Sequence, residues 1–177
     1  TKELEPETYV SATDIRNKVG KQIIKSSDFR AGVIYSVYNQ YPITHPTVDI
    51  VITRENGDIL LGRKPNEDKW RFIGGFVDPT DDSLEMAAKR EVNEETGLEV
   101  DDLKFICSMK VNDWRYKGIK ERGIMTTFFE AKYIFGTPQP NDDIYELQWF
   151  SFTDLVIPYL VEEHIKLFDK YRNYRFK

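Results

Sequence analysis

Cysteine is all but absent: Cys107 stands alone, so the chain can form no internal disulfide and has no thiolate cluster to offer a metal. It falls in an apolar stretch, 105–109, that reads as a strand, where packing is expected rather than redox chemistry. Histidine is scarce too, and His45 and His164 are isolated, which argues against a zinc site and against a catalytic triad. No apolar run approaches the roughly 18 residues of a membrane span, and the first residues lack the basic and apolar regions of a signal peptide. A cytoplasmic protein without membrane contacts is therefore expected. Positive charge is not in excess: the formal net charge of -5 argues against non-specific nucleic-acid binding and favours a small-molecule partner. Repeats and low-complexity tracts are missing as well. What is present, 177 residues with 40% hydrophobic and 31% charged, suits a globular chain long enough to bury a sizeable core.

The stretch 74–98, GGFVDPTDDSLEMAAKREVNEETGL, carries the strongest pattern. Ser83 is placed to cap a helix and Gly97 to end it. At about 100° per residue, Leu84, Ala87, Ala88, Glu91 and Glu95 share one face, with Glu94 beside them. Three carboxylates thus continue an apolar stripe. Ionised carboxylates facing a core are costly unless a cation meets them, and oxygen ligands grouped in this way suit a hard divalent ion such as Mg²⁺. Arg90 is placed to orient a carboxylate through a bidentate contact. A solvated helix with i,i+4 pairs accounts for Glu85 and Lys89, but not for Glu91 and Glu95 on the apolar side.

Gly75, Arg90, Glu91, Val92, Glu94, Glu95, Gly97 and Leu98 resemble the signature of the Nudix hydrolases. The second half of that signature matches residue for residue. The spacing from Gly75 to Arg90 is one residue longer than the family's, its loop acid being Asp81 or Asp82, and Ile73 stands where many members carry Pro. The wording is also similar to Nudix domains fused to nicotinamide mononucleotide adenylyltransferases, which are ADP-ribose pyrophosphatases. The resemblance implies an α/β/α sandwich with a mixed sheet, Mg²⁺ as cofactor with Mn²⁺ as substitute, and a dimer as a common assembly. It also implies a metal site of Glu91, Glu94, Glu95 and Gly75, with Arg90 positioning the carboxylates.

Along the chain, Ser11-Ala12-Thr13-Asp14 fits a capping box before a first helix, and Ser26 or Ser27 begins a second towards Tyr38. These give an N-terminal helical extension, 1–46, that packs on the domain or on a partner subunit, with Pro42 and Pro46 bracketing a linker into a hydrolase domain, 47–177. Residues 47–54 and 59–61, joined by Glu55-Asn56-Gly57-Asp58, form a hairpin. Arg63 and Lys64 follow; in the family, residues at this place often face substrate phosphates, and a charged edge strand is the equal alternative. Residues 70–76 read as a strand delivering Gly74 and Gly75, whose backbone can approach a phosphate or metal closely. Further strands are expected at 103–111, 124–133 and 147–150. Between the first two, Trp114 and Arg115 are either a substrate clamp, by stacking and phosphate contact, or part of a loop pinned by its Trp. In 141–146, Asp142 and Asp143 are the candidate general bases, with Glu146 third, unless they only favour a turn. Ser151-Phe152-Thr153-Asp154 resembles another capping box ahead of an amphipathic helix over 159–171. The tail 170–177, where bases alternate with aromatics, reads as the packed end of that helix.

The expected reaction is attack of metal-activated water on one phosphorus of a nucleoside diphosphate linked to another group, with a loop carboxylate or Glu91 itself taking the water's proton. Family resemblance places ADP-ribose first, cleaved to AMP and ribose 5-phosphate. Nucleotide sugars and other nucleotides are the alternatives, together with a non-catalytic sensor of ADP-ribose-like ligands.

Overall fold

The computed structural model describes residues 27–38, 42–113, 116–118 and 122–177. The chain falls into two compact units, Thr1–Tyr41 and Pro42–Lys177. In the first, helix α1 (Ser27–Tyr38) is the expected second helix, with Val33, Ile34 and Tyr35 exposed. The capping box at Ser11 lies outside the described residues.

The second unit is built on β1 (Ile43–Thr53), whose last seven residues are all buried. The dense β-branched run there leaves no polar face, as suits a strand covered on both sides. β1 runs parallel to β5 (Arg122–Phe135) along its whole length and antiparallel to β2 (Ile59–Arg63) and β3 (Ile73–Phe76) on its other side. With β4 (Glu99–Val111) and β6 (Glu146–Phe150) they make a six-stranded mixed sheet of order β4-β5-β1-β2-β6. One face buries Val48, Ile50 and Ile52 with Ala87, Ala88 and Val92 of helix α2 (Leu84–Thr96). The other buries Val51, Phe72 and Phe128 with Leu167, Phe168 and Tyr171 of helix α3 (Glu162–Arg175). The result is the expected α/β/α sandwich. No described helix is long and apolar enough to cross a membrane.

Four local expectations are revised. β1 starts at Ile43, so Pro46 lies inside a strand and not in a linker. Proline is tolerated there because antiparallel pairing with β3 begins only at Thr47, and the Pro46 carbonyl still accepts the Val77 N–H at 3.2 Å. β3 is shorter than 70–76, since Arg71 pairs in isolation with Gly62 and Trp70 with Leu160. The capping box expected at Ser151-Phe152-Thr153-Asp154 does not form: Thr153, not Ser151, precedes a 3₁₀ turn, Asp154–Tyr159, with no side-chain cap bond. Pro158 in that turn cannot extend it, and α3 starts at Glu162, three residues later than the periodicity suggested. The hairpin is as expected, with Gly57 at φ 85° and its N–H bonded to the Arg54 carbonyl at 2.8 Å.

Candidate active site

Helix α2 brings the carboxylates to one side because both of its ends are fixed. Ser83 Oγ accepts the Met86 N–H at 3.1 Å, and Gly97, left-handed at φ 66°, returns its N–H to the Asn93 carbonyl at 2.8 Å. Between them Ala87, Ala88, Glu91, Val92 and Glu95 are buried. Beneath the helix lie Gly74 and Gly75. Gly74 donates its N–H to Glu95 Oε2 at 3.0 Å, and a Cβ on Gly75 would fall 2.6 Å from Glu91 Oε2. Glycine at 75 is what lets the Glu91 carboxylate rest on the strand.

Arg90 organises the near side. Its Nη1 donates to Glu91 Oε1 and Glu94 Oε2, both at 2.8 Å. Its bidentate contact, however, is to Asp81, from Nε at 3.0 Å and Nη2 at 2.8 Å, and not to a helix carboxylate. Asp81 is delivered by a turn in which Asp78 N–H donates to Asp81 Oδ2 and Thr80 N–H to Asp78 Oδ1, each at 2.8 Å. The longer spacing before Arg90 therefore ends in a clamp on that arginine. The Arg90 guanidinium holds the Asp81 carboxyl below the ordinary carboxylate range, and Asp81 in turn raises Arg90.

The loop after β5 closes the far side. Gln139 and Asn141 donate backbone N–H groups to the Thr96 and Glu95 carbonyls at 2.9 and 3.1 Å, which pins the loop to the end of α2. Asp142, left-handed at φ 52°, and Asp143 both line the resulting cavity of about 390 Å³. Burial pushes the Glu95 carboxyl up to about 8, with Asp143 adding to the rise. Burial also raises Glu91, against the opposing pull of Arg90. Burial alone would raise Asp143 too, but Lys64, its hydrogen-bonded ion partner, outweighs that and holds it low.

Among the described residues, no three acidic or imidazole side chains converge on one point as they stand. Arg90 draws Glu91 and Glu94 towards itself. The donor set nevertheless fits a hard divalent cation. Glu91, Glu94, Glu95, Asp142 and Asp143 line one cavity, all offer oxygen, and the two most buried resist ionisation without a cation beside them.

The remaining candidates separate. Arg63 is not among the residues lining the cavity: it pairs with Glu146 and lies 5.2 Å from the Trp70 ring. Neighbouring residues on a strand face opposite ways, so Lys64 enters where Arg63 cannot. The same pair removes Glu146 from the cavity. Trp114 and Arg115 lie outside the described residues.

Three polar lining residues, His164, Asp49 and Arg71, were not among the sequence candidates. His164, isolated in the sequence, is buried in the cavity wall, where Nδ1 accepts the Phe72 N–H at 3.0 Å and burial lowers its pKa. Its Nε2 faces Asp49 Oδ1 at 3.5 Å, and Asp49 Oδ2 accepts from Thr126 Oγ1 at 2.6 Å. Arg71 lines the same wall. A lone aspartate inside the run Val48-Asp49-Ile50-Val51-Ile52 was the one available signal.

Comparison with known proteins agrees with this geometry. The chain is 34% identical over 116 residues to the NAD-capped RNA hydrolase NudC of Pseudomonas aeruginosa, covering 64% of this chain and 38% of that protein. It is 43% identical over 62 residues to an RNA pyrophosphohydrolase of Pseudomonas putida, covering 35% of this chain and 38% of that one. It thus spans well under half the length of either relative. In fold it resembles the NUDIX domain of Shewanella oneidensis NrtR complexed with ADP ribose, with a TM-score of 0.63 at 22% identity over 81% of this chain and 98% of that one. It also resembles the Escherichia coli ORF135 protein, with a TM-score of 0.61 at 28% identity over 75% and 91%. The NUDIX domain model matches residues 43–171, the span that holds the whole sheet, α2, most of α3 and every described cavity residue, and the chain belongs to the NUDIX family.

Proposed function

We propose that this chain hydrolyses the diphosphate of a nucleoside diphosphate linked to another moiety, with ADP-ribose, giving AMP and ribose 5-phosphate, as the first substrate to test. The observation that carries it is the pair of buried α2 carboxylates, Glu91 and Glu95, with the more exposed Glu94 beside them, lining a cavity whose other walls bring Lys64 and Arg71. Glu91, Glu94 and Glu95, with the Gly75 backbone, would hold the divalent cation, Mg²⁺ or Mn²⁺ in its place. When bound, that ion supplies positive charge to the diphosphate and makes water a better nucleophile at neutral pH.

The chain's own residues do the rest. Arg90, held by Asp81, keeps Glu91 and Glu94 in register with the glycines. Water attacks one phosphorus, its proton passes to a carboxylate, and the bond from that phosphorus to the bridging oxygen breaks. Asp142 suits the proton-accepting role better than Asp143, because Lys64 already engages Asp143 whereas no described residue forms an ion pair with Asp142.

A second reading, attack on the diphosphate at the 5′ end of an RNA, is favoured by what the two Pseudomonas relatives are named for. The test is a panel of ADP-ribose, nucleotide sugars, dinucleoside polyphosphates, nucleoside triphosphates, and NAD-capped and 5′-triphosphate RNA, each with Mg²⁺. Turnover of ADP-ribose that falls at least about 100-fold in Glu95→Gln supports the first reading. Preference for a capped RNA replaces the substrate and keeps the mechanism. Full activity in Glu95→Gln would overturn the metal assignment, and tight binding without turnover of any member would make the domain a sensor.

A further inference from the structure

Each cation of the cavity has a carboxylate partner, but one keeps a donor unmet. Arg90 commits its donors to Asp81, the Phe76 carbonyl, Glu91 and Glu94, and Lys64 is drawn to Asp143. Arg71 differs. Its backbone is fixed by two hydrogen bonds to Gly62, N–H to carbonyl at 2.8 Å and carbonyl from N–H at 3.0 Å. Its Nη2 meets both oxygens of Glu67, at 2.8 and 2.7 Å. Its Nε is buried, and no described group accepts the hydrogen. The only other buried side-chain atom among the described residues in this condition is His45 Nε2, and His45 is not a lining residue of the cavity.

An N–H that is buried, always charged and without an acceptor is costly to keep, and a guanidinium edge matches the oxygens of a phosphate. Arg71 also lies near enough to Asp143 to help hold it ionised, and near enough to His164 to help keep that ring neutral. Its guanidinium belongs to the cavity that the α2 carboxylates also line. We propose that Arg71 is a substrate-binding residue whose guanidinium, held in plane by Glu67, donates to a phosphate oxygen of the diphosphate. The proposal rests on the diphosphate reading of the cavity. It supplies what the carboxylate wall lacks, a donor for the phosphate oxygens that a cation on α2 does not reach.

The test uses the whole chain with Mg²⁺ and two probes, inorganic pyrophosphate and ADP, measured by calorimetry beside ADP-ribose kinetics. Arg71→Gln should weaken both probes about tenfold or more and raise KM by a similar factor, with kcat within about threefold of wild type and the melting temperature unchanged. Arg71→Lys should be almost as weak, because a lysine keeps the charge but has no planar guanidinium to match phosphate oxygens. If Arg71→Gln fails to fold, Arg71→Lys carries the test alone. Wild-type affinity in Arg71→Gln, or full rescue by lysine, overturns the assignment, as does a wild-type protein that binds neither probe. If the wild type binds pyrophosphate in an Arg71-dependent way but turns over no diphosphate, the catalytic reading falls and the phosphate site stands.

Discussion

Glu95 is where a single side chain carries the most consequence. Its carboxyl, near 4.5 in an unfolded chain, is pushed up to about 8 in the fold. The folded state therefore holds that proton more tightly than the unfolded state does. Its contribution to stability is complete below about pH 4.5 and is lost as pH rises towards 8. Asp81 and Asp143 act oppositely: held low, they contribute above the ordinary aspartate range and lose that contribution only in acid. The metal-free protein should thus melt at lower temperature at about pH 8.5 than at about pH 5.5, and Glu95→Gln should flatten that slope. Mg²⁺ should restore stability more strongly as pH rises, since binding needs the ionised carboxylate. An unchanged slope in Glu95→Gln would remove Glu95 as its cause. The two glycines separate fold from chemistry. A Cβ at Gly74 would meet the Val48 carbonyl at 2.1 Å with φ at 150°, so Gly74→Ala should cost about 3 kcal/mol in a denaturant melt. At Gly75 the clash is with the tip of Glu91, so Gly75→Ala should lose turnover at least about tenfold with a stability change near 1 kcal/mol.

At the level of elements, α2 was legible because its information is local. Cap, stripe and terminating glycine all lie within Ser83 to Gly97, and the structure returns each of them. Ser83→Ala removes the one side-chain acceptor at the helix start and should cost about 1 kcal/mol, read from the denaturation midpoint. If Met86 N–H were satisfied equally well by solvent, that variant would be neutral. The hairpin at Gly57 was legible for the same reason. What the sequence could not show was long-range: His164 meets Phe72 across 92 positions, and only the packing of α3 on the sheet sets that distance. Pairing Lys64 rather than Arg63 with the cavity depended on which way β2 presents successive residues, a phase the short run Ile59–Arg63 does not announce. The start of α3 was read three residues early because Tyr159, Leu160 and Val161 continue its apolar pattern, whereas Tyr159 closes the 3₁₀ turn and Leu160 pairs with Trp70.

For the molecule as a whole, the division of labour between its two units follows from where the sheet begins. β1 opens at Ile43, paired with Arg122 of β5, and both buried cores and every described cavity residue lie beyond it. We propose that the segment before Pro42 is an extension dispensable for catalysis, and that the boundary belongs ahead of Ile43, not at the expected junction of residues 46 and 47. A fragment of residues 42–177 should melt cooperatively and keep kcat within about threefold of the full chain. A fragment starting at Thr47 removes the β1–β5 pairs from Ile43 to Pro46 and the His45 ring stacked 5.1 Å from Tyr116. It should melt several degrees lower, because that edge of β5 is left unpaired beside the cavity. Equal melting of the two fragments would show that Ile43 to Pro46 contribute nothing to the sheet. If the 42–177 fragment folds but loses turnover, the extension contributes to the site, and gel filtration of the full chain against the fragment then shows whether it does so by joining two copies.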